Sequence, residues 1–226
     1  MTYGQLDTEE IRRFRETITR GELEKWYQDL TGEYHKWVSY QLAWRKERNA
    51  SMETLEFPFP YRKGQREMVA GVYHAISEEE QIFIQAPTGI GKTMSAIFPA
   101  VRAVGQGKGE TVFYLTARTI TRTVAEDAFS ILRGKGLHFK SITITAKEKM
   151  CFCDEMDCDP QKCPYAKGHY DRINDAVYEL WTKEEAFDRE TILAQAEKYS
   201  VCPFEMTLDL AVWMDGIVCD YNYVFD

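Results

Sequence analysis

The 226 residues carry 28 basic and 36 acidic side chains, a net charge of −8, with 44% hydrophobic and 13% aromatic residues. That is chain enough for one large or two modest domains with a real core, and the acidic balance argues against a simple nucleic-acid coat protein. No uncharged stretch approaches the ~20 residues of a membrane span and no charged-then-apolar leader opens the chain, so a cytoplasmic location without a membrane partner is expected.

In chain order, residues 6–50 read as helical throughout. Asp7 or Thr8 would cap a first helix, with Glu9 and Glu10 in its opening turn. A second helix is predicted from Glu22 to Asn49, with Leu23, Trp26, Tyr27, Leu30, Tyr34, Trp37 and Leu42 at three- and four-residue spacing. That stripe is expected to pack against a core rather than serve as a binding face. Leu55-Glu56-Phe57-Pro58-Phe59-Pro60 follows, and its two prolines mark a boundary.

From Tyr61 the pattern predicts a helix over 63–76, a strand over 81–85, a loop, a helix over 91–104, a strand over 111–116, a helix over 119–132 and a strand over 139–145. Alternating strands and helices imply an α/β fold with a parallel sheet covered on both faces. Residues 150–214 break the rhythm, with helices expected near 169–181, 189–199 and 204–214. The α/β pattern resumes at Gly216-Ile217-Val218-Cys219-Asp220, as if 150–214 were inserted between strands of one domain.

Ala86-Pro87-Thr88-Gly89-Ile90-Gly91-Lys92-Thr93 meets the pattern G-x-x-x-x-G-K-[ST] except at its first position, where alanine replaces glycine. Loop amides and the following helix N-terminus would hold the β- and γ-phosphates of ATP, Lys92 would add a point charge, and the Thr93 hydroxyl would ligate Mg²⁺. Tyr61-Arg62-x-x-Gln65 offers a ring for stacking and an amide able to pair with the adenine edge. Thr116-Ala117-Arg118-Thr119 ends a predicted strand at the same sheet edge, where hydroxyls and a guanidinium suit backbone phosphates; a capped helix start explains the same residues.

Charge is unevenly spread: 118–149 holds 7 basic and 3 acidic side chains (net +4), 150–226 holds 6 and 17 (net −11). The basic band is either a solvated face or a track for a polyanion. Cys151, Cys153, Cys158, Cys163 and Cys202 crowd the acidic segment, while Cys219 sits in an apolar strand and reads as core. Four thiolates suit a tetrahedral zinc or a [4Fe–4S] cluster. The irregular spacing, with proline after Cys163 and Cys202, leans toward the cluster without excluding zinc.

Together these residues resemble the XPD/DinG family of superfamily-two iron–sulfur DNA helicases, from about Phe57 to Asp226. Tyr61–Gln65 is similar to the adenine-reading Q motif, Ala86–Thr93 to motif I, and Thr116–Thr119 to motif Ia, which contacts single-stranded DNA. Lys147–Cys151 resembles the approach to the iron–sulfur domain, and Cys158, Cys163 and Cys202 match its later ligands; Cys153 has no counterpart. The resemblance implies a RecA-like P-loop lobe interrupted by a small helical [4Fe–4S] domain. The divisions it implies are a helical segment over 1–56, the first part of the ATP-binding lobe over 57–149, the cluster insertion over 150–214 and a return to the lobe over 215–226. It further implies ATP-driven 5′→3′ unwinding of single-stranded or forked DNA. The Asp-Glu-Ala-His of motif II is not in this sequence. A fragment with helicase domains downstream, and a nuclease module upstream, is the corresponding expectation, with little hydrolysis by this chain alone.

Overall fold

The structure, a computed structural model, describes residues 2–5, 10–13, 15–117 and 119–225. The chain divides into two compact units, 1–42 and 43–226. In the first, β1 (Thr2–Gln5) and β2 (Glu10–Arg13) form an antiparallel pair, with Thr2 opposite Arg13 and Gln5 opposite Glu10. Over residues 10–13 this corrects the helix expected from residue 6. Thr2, Tyr3 and Ile11 favour extended backbone, and Gly4 costs a helix about 1 kcal/mol. The caps assigned to Asp7 and Thr8 lie outside the described residues.

Helix α1 spans Arg20–Thr54. Its start is a capping box that the sequence reading passed over: the Thr19 amide donates to Glu22 Oε2 at 2.7 Å, and the Glu22 amide to Thr19 Oγ1 at 3.3 Å. Those bonds hold the Glu22 carboxyl below its usual range. The aromatic stripe departs from the expected core packing. Leu23, Trp26, Tyr27, Leu30, Tyr34 and Leu42 are all exposed, Tyr34 by 71%, while Trp37 is half-buried. Periodicity defines a face, but burial needs a partner surface.

The second unit takes the last turns of α1, where Trp44, Arg48 and Met52 are buried. It continues through α2 (Gln65–Ser77), α3 (Lys92–Gly105), β3 (Val112–Leu115), α4 (Thr119–Arg133), β4 (Ser141–Thr143) and α5 (Lys147–Met150). Then come α6 (His169–Lys183), β5 (Ala186–Phe187), α7 (Arg189–Tyr199), α8 (Pro203–Ala211), β6 (Gly216–Cys219) and α9 (Asn222–Phe225). The sheet runs β3-β6-β4-β5 with every neighbour parallel. Its register sets Val112 and Ser141 on either side of Gly216. Met52, Ile97, Val101, Phe129, Leu132 and Phe139 form the centre of the core, each such side chain contributing about 1.5–3 kcal/mol on burial. Gly216 permits this packing, since a Cβ there would meet the Phe139 ring at 2.5 Å.

Asp215 ties α1 to the sheet. Its carboxylate accepts from Trp44 Nε1 at 3.0 Å, Arg48 Nη1 at 2.6 Å and the Lys140 amide at 2.9 Å. Lys140 lies 4.1 Å from the Trp44 ring centroid, donates to the Glu184 carbonyl, and is pushed down to about 8, chiefly by burial.

Residues 81–85 form no strand. The run is irregular backbone leading into the loop, and Phe83 is 93% exposed. An apolar run becomes a strand only beside a ladder partner, and β3, at one end of the sheet order, pairs among the described residues with β6 alone. The unforeseen β5, inside 150–214, adds a parallel strand to the sheet, pairing Ala186 with Ser141.

Candidate nucleotide site and cysteine cavity

The glycine loop enters α3 as anticipated. Gly89 and Gly91 both have φ of +83°, which only glycine adopts without strain, and Gly91 is the N-cap. Lys92 Nζ donates to the carbonyls of Ala86 and Pro87, each at 3.0 Å, so the ammonium stands over its own loop, where phosphate oxygens would compete for it. The Thr93 hydroxyl lies 3.4 Å from the Tyr114 hydroxyl on β3, and the Ser95 hydroxyl donates to the Gly91 carbonyl at 2.9 Å. Thr88 and Ile90 complete the turn.

Tyr61, Arg62 and Gln65 come together with this loop. Gln65 is buried; its Nε2 donates to the Ile90 carbonyl at 3.0 Å and its Oε1 accepts from the Arg62 amide at 3.0 Å. A Cβ on Gly91 would meet that same amide nitrogen at 2.7 Å. Gln65 thus reads the shape of the loop with the group expected to read adenine. The Arg62 guanidinium donates to the Gly89 carbonyl, a contact the spacing did not reveal. Tyr61 stacks on Phe57 at 4.4 Å between centroids, with Arg66 5.9 Å from its ring. A groove of about 460 Å³ runs between Gly64, Met68 and Gly71 on one side and Ile82–Pro87 on the other.

Of the strand-end cluster, the Thr116 amide extends the β3–β6 ladder by donating to the Cys219 carbonyl at 3.0 Å, and the Thr116 and Thr121 hydroxyls share a hydrogen bond. Arg118 lies outside the described residues, and Thr119 opens α4. Much of the basic band turns inward. Arg122 reaches the Ile144 carbonyl and Asp220, Arg133 reaches Phe139 and Ser141, and Lys140 is buried. Lys135 and Lys149 are exposed. The band is therefore not a wholly solvated face.

The five clustered cysteines all border one open cavity of about 260 Å³. On one side the Cys153 and Cys163 sulfurs stand 3.9 Å apart, with Cys151 beside Cys153. On the other, Lys147 hydrogen-bonds Cys158 and lies 3.2 Å from Glu205, which together raise its pKa. Cys202 accepts from the Glu205 and Phe204 amides, yet burial raises its thiol. Burial and the neighbouring Cys163 push Cys153 up to about 11. His169, buried and not foreseen, orders this wall by accepting the Cys202 amide at Nδ1, 3.2 Å away. Cys219 is fully buried in β6, the core position expected. Among the described residues no three His, Cys, Asp or Glu side chains already form a single-ion site.

No helix among the described residues is long and apolar enough to cross a membrane. The comparison with curated proteins returned no match. The family model described as DEAD/DEAH box helicase matches residues 62–186, more than half of the chain, from the Arg62–Gln65 contacts through the glycine loop to β5. With a glycine loop opening α3 inside that match and a parallel sheet beside it, this chain belongs to the DEAD/DEAH box helicase family.

Proposed function

We propose that the chain supplies the ATP-binding half-site of a DNA helicase of the XPD/DinG type, with a cysteine-held [4Fe–4S] cluster beside it. The observation that carries this is the glycine loop, whose two left-handed glycines deliver Lys92 and Thr93 to the start of α3 inside the helicase match. Lys92 exchanges its loop carbonyls for β- and γ-phosphate oxygens, and Thr93 supplies a hydroxyl for Mg²⁺. Ala86 to Gly91 wrap the phosphates. Gln65 and Arg62 hold the loop in register while Tyr61 stacks near the base. Thr116, Arg118 and Thr119 grip the backbone of single-stranded DNA, and the polarity would be 5′→3′.

The cysteine cavity fits the cluster better than a lone zinc. Four sulfurs 2.3 Å from one tetrahedral ion would sit only about 3.8 Å from each other, leaving no cavity between them. Here five thiols border one open cavity of about 260 Å³. Cys151, Cys158, Cys163 and Cys202 would hold the cluster, which when bound supplies covalent bracing of residues 150–214. The surrounding chain orders those sulfurs: His169 and the α8 amides fix Cys202, and Lys147 offsets thiolate charge near Cys158. The second reading is a zinc-stapled nucleotide switch, supported by the 3.9 Å Cys153–Cys163 spacing.

Two measurements test these readings. Titration with ATP and Mg²⁺ should show binding, and steady-state assay of this chain alone should show negligible hydrolysis, since the Asp-Glu-Ala-His of motif II is not in its sequence. Robust turnover would overturn that part. Anaerobic purification should give a brown protein with about four irons per chain; a colourless protein with one zinc favours the switch.

A further inference from the structure

Cys153 is the thiol that the four-ligand set leaves over, and its position gives it a task. Its sulfur lies 3.9 Å from that of Cys163, in van der Waals contact, and both residues are partly exposed at the open cavity. The chain between them is bends and turns, with no helix or strand to resist adjustment. A disulfide has an S–S bond of about 2.05 Å, so each sulfur needs to travel only about 1 Å. Of the other cavity thiols, Cys158 is engaged with Lys147 and Cys202 with the amides of α8, while Cys151 also lies against Cys153.

We propose that Cys153 and Cys163 form a reversible redox switch whose oxidant is a hydroperoxide, such as hydrogen peroxide. The Cys163 sulfur attacks a peroxide oxygen and the O–O bond breaks. The products are a sulfenic acid and hydroxide, which leaves as water with the thiol proton. The second sulfur then attacks the sulfenyl sulfur; the S–S bond forms, the S–O bond breaks, and a second water departs with the remaining thiol proton. Two thiols and one peroxide yield one disulfide and two waters, with two electrons passing from sulfur to peroxide. A dithiol reductant reverses the change. In its consequence the proposal rests on the cluster reading: the disulfide withdraws Cys163 from the ligand set and so blocks metal loading.

The test uses the full chain, purified anaerobically and freed of metal with a chelator, then treated with stoichiometric hydrogen peroxide, alkylated and mapped by mass spectrometry without reduction. The expected product is a Cys153–Cys163 crosslink. Iron uptake during reconstitution with ferrous iron and sulfide should then fall markedly, as one of the four ligands is withdrawn, and recover with dithiothreitol. Cys153→Ser should keep its iron uptake after the same peroxide dose, with Cys153→Ala as the second variant. A crosslink joining Cys151 to Cys153 or Cys158 to Cys202, no crosslink at all, or variants that lose iron uptake to peroxide as fully as the wild-type chain does, overturns the switch. If the reduced wild-type chain takes up no iron, the cluster reading fails and metal gating goes with it, while the crosslink map still decides the thiol pair.

Discussion

The nucleotide loop is made by eight consecutive residues, Ala86–Thr93, whereas the cysteine cavity draws its walls from α5, the turns after it, the start of α6 and the start of α8. In the first, local backbone does the work: two glycines at φ +83° and one helix N-terminus aim Lys92. In the second, tertiary packing does it, since Cys151 and Cys202 border one cavity because α8 packs on α5. A site written in one stretch survives irregular surroundings, as the unpaired run 81–85 beside the loop illustrates. A site assembled from distant stretches depends on its frame.

Both regions share one frame, and the largest predicted effect comes from breaking it. Asp215→Ala removes the acceptor of Trp44 and the Lys140 amide and strands the buried Arg48 guanidinium, so denaturant unfolding should show a loss of about 3–5 kcal/mol. Peroxide crosslinking and nucleotide binding should then decay together on denaturation. Separate transitions would break the idea of a common support.

Lys92→Ala should separate the two regions. Nucleotide affinity should fall by about 1.5–3 kcal/mol, tens-fold to roughly a hundredfold by titration calorimetry, with the thiol reactivity of the cavity unchanged. A matching change in cysteine alkylation rates would mean that the regions are coupled.

The frame also carries a pH signature. Burial pushes Lys140 down to about 8 from an ordinary 10.5, against the pull of Glu185, Asp215, Glu184 and Glu47. Between those pH values the unfolded chain binds the proton and the folded chain does not, so this group's contribution to stability rises with pH across that window. The rise is on the order of 2 kcal/mol. Lys140→Met should flatten it in denaturant titrations at pH 8 and 10, and an unchanged slope would mean that Lys140 keeps its proton.

Phe83→Ser should do least. With the ring 93% exposed, stability should shift by less than about 0.5 kcal/mol. A loss several times larger would show that 81–85 is paired in solution and that the loop rests on a strand after all.

Short-range chemistry was legible from residues alone. The glycine loop, the helices α2, α3, α4, α6 and α7, the parallel β3, β4 and β6, and the core position of Cys219 all follow from propensity, periodicity and motif spacing. The Thr19–Glu22 capping box was equally readable and was missed. What only the tertiary structure decided was partnership. It left the Leu23–Tyr34 stripe exposed and Phe83 unpaired, turned Arg122, Arg133 and Lys140 inward, added β5 to the sheet and brought Cys153 to Cys163. The reason is physical: a residue's type fixes what it can bind or bury, but its partner is set by chain closure over tens of residues, which no local pattern encodes.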